Sequence, residues 1–167
     1  MHIFITGFMG VGKTTIGHQL SQLLGIDFID LDDEITTQAG LSIPEIFRNN
    51  GEDHFRMIEK KILAQLNSHT EPAIIALGGG TICDPENRKL ILQNNICIYL
   101  HKTWEEIEKS LSKLKNRPLI DQNSPSKLKA LYSKRQPIYE LSQLKMPINT
   151  EFEPQKLANY LKLLTNR

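Results

Sequence analysis

The chain has 167 residues, 40% hydrophobic and 23% charged, with 20 Lys and Arg against 19 Asp and Glu, a formal charge of +1. That length predicts a single domain over 1–167, since compact domains run about 100–150 residues; the composition excludes a disordered chain, and near-neutrality excludes a generic nucleic-acid or membrane-surface binder. The total conceals a split. Residues 1–40 hold Lys13 against Asp27, Asp30, Asp32, Asp33 and Glu34, a balance of −4, whereas residues 109–135 hold eight Lys and Arg against Asp121 alone, a balance of +7.

The first predicted strand, 2–6, runs into Gly7-Phe8-Met9-Gly10-Val11-Gly12-Lys13-Thr14, a full G-x-x-x-x-G-K-[ST] match that opens a predicted helix over 14–24. Glycines let successive backbone N–H groups turn toward a phosphate chain, and the helix N-terminus adds its positive dipole end. Lys13 can reach the β- and γ-phosphates and Thr14 can ligate Mg²⁺. The bland alternative is a glycine-rich turn before a helix. The motif leaves GTPase, ATPase and small-molecule kinase open, although no Asn-Lys-x-Asp guanine-reading motif occurs.

A second strand over 27–30 ends in Asp30, and Asp32 follows. If the segment stays extended, both carboxylates point the same way; one can hold a metal through water while the other accepts a hydrogen bond from an acceptor hydroxyl. The alternative is that they cap and charge the start of the next helix, 31–39. Two further helices are predicted over 43–49 and 53–67, the second carrying Arg56 and Glu59 three apart, on one face. The run 73–77 suits a central parallel strand buried on both sides, and Gly78-Gly79-Gly80 after it reads either as a tight turn or as a floor of N–H groups beneath a substrate. With glycines where a Walker-B acid belongs, metal support falls to Asp30 and Asp32.

Asp84-Pro85 marks an N-cap with Pro at the first position of a helix over 86–93. A strand over 96–100 follows, then a helix over 104–112 with a capping box between Thr103 and Glu106. Residues 113–126 lack apolar periodicity and are expected as a long mobile loop, and such loops are usually functional. A helix over 126–142, a strand over 146–149 and a helix over 154–164 complete the chain. Arg117 and Arg135 lie in or after the loop, and either can serve as an arginine that meets transition-state charge; the lysines around them are mostly expected as solvated surface. Strand–helix alternation at this density implies an α/β fold: a parallel sheet wrapped by helices, with ligands at the carboxyl ends of the strands. Cys83 and Cys97 have no zinc-site spacing and are expected as reduced thiols. No secretory signal pattern opens the sequence, and no apolar run approaches the roughly 20 residues of a bilayer span. The expected location is the cytoplasm.

Taken together, several segments resemble shikimate kinase. They are residues 7–14 with Thr15-Ile16-Gly17 after them, Phe28-x-Asp30-x-Asp32, Ser42-Ile43-x-x-Ile46-Phe47, Gly51-Glu52-x-x-Phe55-Arg56-x-x-Glu59, Gly78-Gly79-Gly80, Arg117-Pro118-Leu119 and Arg135-x-Pro137-x-Tyr139. The resemblance spans essentially the whole chain. It implies ATP-dependent phosphorylation of the 3-hydroxyl of shikimate, giving shikimate 3-phosphate and ADP on the way to chorismate and the aromatic amino acids. It also implies a three-layer α/β/α P-loop kinase fold with a five-stranded parallel sheet, a substrate-binding helical segment at about 31–60 and a lid at about 112–124.

By the same resemblance, Gly10, Val11, Gly12, Lys13, Thr14 and Thr15 would hold ATP, with Arg117 from the lid and Pro154 near the adenine. Thr14 and Asp30 would hold Mg²⁺, and Asp32 would bind the acceptor hydroxyl and act as base. Arg56, Arg135 and Gly78, Gly79 and Gly80 would bind shikimate, with Glu59 orienting Arg56 and with Phe47 and Phe55 near the ring. Catalysis would rest on Lys13, Asp32 and Arg117. The chain departs from the family at Ser110 and Lys109, where many relatives carry an arginine near the adenine, at Asn149, where an Asp is common, and in a lid without glycines before its arginine. The expected partners are shikimate and ATP, with no nucleic acid and no membrane, and the expected state is a monomer. Two rivals remain. Another small-metabolite kinase of this architecture would not need Arg56 and Arg135 unless its acceptor were a carboxylate, and a P-loop module binding polynucleotide through 109–135 would lack stacking aromatics between Trp104 and Tyr132.

Overall fold

A computed structural model describes residues 1–111 and 124–165. The lid arginine, Arg117, and nearly all of the expected lid lie outside the described residues. Five parallel strands form one sheet in the order β2-β3-β1-β4-β5: β1 (Ile3–Thr6), β2 (Asp27–Asp30), β3 (Ala73–Ala76), β4 (Ile96–His101) and β5 (Leu144–Pro147). The three inner strands β3, β1 and β4 are buried almost throughout, as their continuous apolar runs require, while β2 and β5 at the edges are only partly covered.

Register sets the two layers. Phe4 stands between Ile75 and Cys97, and these side chains share one face with Leu77 and Tyr99. Ile3, Ile5, Ile74, Ile98 and Leu100 face the other way. On that second face pack α1 (Lys13–Leu24), through Ile16 and Leu20, and the C-terminal helix α7 (Pro154–Thr165), through Leu157 and Leu161. The first face is covered by α2 (Leu31–Ala39), α3 (Ile43–Asn67), α4 (Pro85–Leu92), α5 (Trp104–Leu111) and α6 (Pro125–Tyr139). The expected α/β/α layering is the one observed. Burial among these layers pushes the Cys97 thiol up to about 12, although its contact with Ser142 works the other way, so this thiol is inert at neutral pH.

Local signals set the helix starts. Asp30 caps α2 by accepting the Asp32 N–H at 3.1 Å, and Asp84 caps α4 by accepting the N–H groups of Glu86 and Asn87 at 2.9 and 3.0 Å. The Thr103–Glu106 box closes with Glu106 accepting the Thr103 N–H at 2.9 Å and donating its own N–H to Thr103 Oγ1 at 3.3 Å.

The two helices expected over 43–49 and 53–67 are both present: α3 holds them end to end, divided by a kink at Gly51, whose φ 82° and ψ 176° are not helical. Two expectations need correction. The last strand begins two residues earlier than 146–149, at Leu144; it is an edge strand with alternating burial, a weaker sequence signal than a buried run. Pro125 and Ser126 belong to α6 rather than to the loop, with Pro in the first turn where its missing N–H costs nothing.

Candidate active site

The P-loop leaves β1 and enters α1 with Gly7, Gly10 and Gly12 at φ 141°, 78° and 104°, values that L side chains rarely adopt. Gly7 is further constrained by close approach, since an added Cβ would stand 2.4 Å from the Leu100 carbonyl oxygen. The Lys13 ammonium donates to the carbonyls of Gly7 and Phe8 at 2.9 and 3.2 Å, so it lies folded over the loop whose N–H groups would face a phosphate. Val11 is buried, while Thr14 and Thr15 are exposed at the mouth. Phe8 anchors the loop from behind, edge-on to Tyr132 of α6 and Trp104 of α5 at 5.4 and 6.5 Å between centroids.

Thr14 Oγ1 donates to Asp30 Oδ2 at 2.8 Å, which joins the start of α1 to the end of β2. The other oxygen of Asp30 caps α2, so the helix-capping reading holds for this residue, while its second carboxylate oxygen faces Thr14. Asp32 reaches the site by a route other than the extended alternation expected for it. The chain is already helical at Leu31, and the Asp32 carboxylate faces the glycine turn after β3: a Cβ on Gly78 would lie 3.0 Å from its Oδ1.

That turn is where side chains from α3 and α6 meet the phosphate loop. Cβ atoms built on Gly80 would stand 3.0 Å from Arg56 Nη2 and 3.1 Å from Arg135 Nη2, and one on Gly79 would stand 3.7 Å from both Gly7 O and Met9 N of the P-loop. Two guanidiniums therefore converge on Gly80, and the turn lies directly against the phosphate loop. Arg56 Nη1 donates to Glu59 Oε2 at 2.9 Å, and its Nε and Nη2 donate to Glu52 Oε1 at 3.3 and 3.2 Å. Burial alone lowers the guanidinium's pKa, but the charges and hydrogen bonds of Glu59 and Glu52 outweigh it and raise the value, so Arg56 stays cationic. Glu59 is 1% exposed, which excludes the ordinary solvated pair. Phe47 and Phe55 pack at 4.8 Å beside it, and the Arg56 guanidinium lies 5.1 Å from the Phe55 ring centre.

A cavity of about 310 Å³ opens here, lined by Glu52, Arg56, Gly80, Cys83, Lys134 and Arg135 among others. Burial raises the Cys83 thiol pKa although Arg135, Arg56 and Arg88 pull the other way. A larger cavity of about 490 Å³ lies beside His2 and Asn95, where β1 and β4 begin. Parallel sheets bind ligands at the carboxyl ends of their strands, so the smaller cavity is the one beside the chemistry.

The folded chain thus gathers Lys13, Thr14, Asp30, Asp32, Arg56, Glu59, Gly78, Gly79, Gly80 and Arg135 around one cleft. Pro154 opens α7 on the other face of the sheet. Ser110 Oγ donates to the Glu106 carbonyl of its own helix at 2.9 Å, and Asn149 Oδ1 accepts the Glu151 N–H at 3.1 Å ahead of α7. Glu52 and Tyr139 stand in segments that carry the resemblance, but the sequence assigns no role to them or to Thr81. Glu52 stands one turn before Arg56, a spacing that signals a partner. Thr81 donates to Glu59 Oε1 at 2.7 Å, and the Tyr139 hydroxyl donates to the Gly79 carbonyl.

A family model described as shikimate kinase matches residues 9–164. A shikimate kinase of Bacillus licheniformis is 38% identical over 161 residues, covering 96% of this chain and 90% of the relative. Among solved structures, a shikimate kinase from Acinetobacter baumannii in complex with shikimate superposes with a TM-score of 0.87 at 36% identity, covering 99% of this chain and 94% of that one. The shikimate kinase of Bacteroides thetaiotaomicron gives 0.84 at 25% identity, covering 100% and 99%.

Proposed function

Since the chain belongs to the shikimate kinase family and its activity is the ATP-dependent conversion of shikimate to shikimate 3-phosphate and ADP, a step of aromatic amino-acid biosynthesis, we propose that the side chains around its P-loop divide that reaction as follows. The backbone of residues 10–15 and Lys13 hold the ATP phosphates, with Pro154 on the adenine side. Arg56 and Arg135 hold the acceptor's carboxylate as a pair of guanidinium forks, since planar bidentate recognition of a carboxylate favours Arg. Gly78, Gly79 and Gly80 form the floor, and Phe47 and Phe55 form the apolar wall.

Asp32 then accepts the hydrogen bond of the 3-hydroxyl. As that oxygen bonds to the γ-phosphorus, the bond from phosphorus to the β,γ-bridging oxygen breaks, ADP leaves with the electron pair, and the hydroxyl proton passes to Asp32. Charge spreads over the γ-oxygens in a loose transition state, and Lys13 meets it from the loop. Arg117 is assigned to the same charge from the lid segment at about 112–124.

Thr14 and Asp30 would hold Mg²⁺: their side chains offer two hard oxygens, 2.8 Å apart at a helix N-terminus, of the kind this ion takes beside phosphate. Mg²⁺ there would neutralise charge on the phosphates. Among the described residues no three His, Cys, Asp or Glu cluster to hold a metal by themselves, which suits a metal shared with the nucleotide. Residues 31–60 serve as the substrate-binding segment of one domain over 1–167, working as a monomer in the cytoplasm; among the described residues no helix is long and apolar enough to cross a membrane.

The observation that carries this reading is the convergence of Arg56 and Arg135 on Gly80, beside Asp32 and against the P-loop. The test is a coupled ADP-release assay across shikimate, gluconate and nucleoside monophosphates, run on the chain and on Arg56→Lys. Turnover of shikimate with a raised KM in the variant is expected. Robust turnover of gluconate without turnover of shikimate would overturn the assignment.

A further inference from the structure

We infer that Thr81 is a positioning residue for recognition of the acceptor's carboxylate, acting through Glu59 on Arg56. The inference rests on the reading of Arg56 as a carboxylate ligand. Arg56 is one-third exposed and carries a long, rotamer-rich side chain, so something must fix its direction. Glu52 is a poor candidate, because its side chain is 63% exposed and its contacts are long, at 3.2 and 3.3 Å. Glu59 is the better one: it lies below the guanidinium, 1% exposed, and accepts from Nη1 at 2.9 Å.

A buried carboxylate is itself a mobile anchor unless its second oxygen is held, and an unsatisfied one carries a large desolvation cost. Thr81 supplies that second bond, donating from Oγ1 to Glu59 Oε1 at 2.7 Å. Thr81 is also fixed on its own account. It is fully buried, its N–H donates to the Gly78 carbonyl at 3.2 Å, and its carbonyl accepts from the buried Asn87 Nδ2 of α4 at 3.2 Å. The result is a chain of hydrogen bonds running from α4 through Thr81 and Glu59 to the guanidinium above Gly80. Two stretches far apart in sequence, the turn that leads into α4 and the helix α3, thereby set the angle of one fork.

The test uses Thr81→Val, which keeps the branched shape and removes the hydroxyl, and Thr81→Ser, which keeps the hydroxyl. Loss of one hydrogen bond to a buried charge predicts a rise of about tenfold in KM for shikimate in Thr81→Val. KM for ATP and kcat should stay within about twofold, because the hydrogen bonds of Thr81 run to Glu59, Gly78 and Asn87 and not to the phosphate loop. Thr81→Ser should restore KM for shikimate to within about twofold, and it keeps the test open if Thr81→Val folds poorly. In a Glu59→Gln background Thr81→Val should add little, since both act on one chain of bonds. Equal losses for shikimate and ATP, no rescue by Ser, or simple additivity with Glu59→Gln would overturn the inference and leave Thr81 a packing residue. Arg56→Lys separates the two readings: if it leaves KM for shikimate unchanged, the assignment of Arg56 fails, and not that of Thr81 alone.

Discussion

Gly80→Ala tests the acceptor site with a single methyl group. The backbone at Gly80 sits at φ −106°, ψ −12°, which alanine adopts without strain, so the effect falls on what the methyl touches. Its Cβ would stand 3.0 Å from Arg56 Nη2, 3.3 Å from Arg56 Nη1 and 3.1 Å from Arg135 Nη2. Comfortable contact needs about 3.5–4.0 Å, so each guanidinium must withdraw by about half an ångström. Arg56 cannot withdraw freely, since Glu59 holds it from below. Losing one charge-assisted bond to the acceptor's carboxylate is worth about 1.5–3 kcal/mol, which predicts a rise in KM for shikimate of about ten- to a hundredfold. Steady-state kinetics with each substrate varied in turn, together with thermal unfolding, read the result; KM for ATP and Tm should stay near the parent values. The neighbouring glycines are internal controls. Gly79→Ala meets nothing closer than 3.6 Å and should be mild, whereas Gly78→Ala would press within 3.0 Å of Asp32 Oδ1 and Thr81 Oγ1 and should lower kcat as well. Parent-like shikimate kinetics in Gly80→Ala, or an equal loss for ATP, would refute the placement of the carboxylate between the two arginines.

Lys13→Ala should abolish phosphoryl transfer in the coupled assay while unfolding cooperatively, because its bonds to the Gly7 and Phe8 carbonyls lie within the loop and leave both apolar layers intact. Arg117→Ala should reduce kcat by about a thousandfold or more, as expected for an arginine that meets transition-state charge, with shikimate affinity from equilibrium titration little changed; an equal loss of shikimate binding would remove it from that role. Asp30→Asn should raise the Mg²⁺ concentration needed for half-maximal activity with little change in Tm, since Asn caps a helix as well as Asp, and an unchanged Mg²⁺ dependence would exclude Asp30 from the metal site. Burial, reinforced by the charge of the N-terminal amine, lowers the pKa of His2 below its usual value. The unfolded chain therefore takes up this proton first as pH falls, so the neutral ring's contribution is complete above about pH 6.5 and is lost below it. Tm measured from pH 7.5 to 5.5 should fall more steeply for the parent than for His2→Gln.

The parts of this molecule legible in sequence are those whose signal is local. The inner strands β3, β1 and β4 announce themselves as unbroken apolar runs because both their faces are covered. The P-loop is legible because its chemistry demands glycines at fixed spacing before a helix, and Asp30, Asp32 and the glycine triplet because they end or closely follow apolar strands. Asp32 shows the limit of such reading: the fold brings its carboxylate to the glycine turn, but not by strand alternation, since the Asp30 cap turns the chain helical from Leu31. Thr81 and Tyr139 were illegible as site residues for a different reason. Their hydroxyls meet partners 22 and 60 positions away, and no local spacing encodes a bond between elements that only the fold brings together. Naming shikimate lay beyond residue chemistry altogether and needed the family resemblance.

The separated charges of the sequence also take on a narrower meaning in the fold. Of the acids near the front, Asp30 and Asp32 turn toward the cleft, while Asp27 and Asp33 are exposed. Of the basic stretch, Lys109, Lys127, Lys129 and Lys134 are exposed and Arg135 is half-buried with its guanidinium over the glycine turn. Its counterpart, Arg56, comes from neither block but from the middle of the chain, with a buried acid beneath it. Net charge by segment therefore misses the feature that matters, which is depth. Two anions must lie side by side for phosphoryl transfer, and their mutual repulsion is met by cations held at the floor of the cleft, not by those on its rim. A rim lysine should accordingly tolerate neutralisation with at most a salt-dependent change in association rate, whereas Arg56 and Arg135, whose guanidiniums both lie within about 3 Å of where a Cβ on Gly80 would stand, should not.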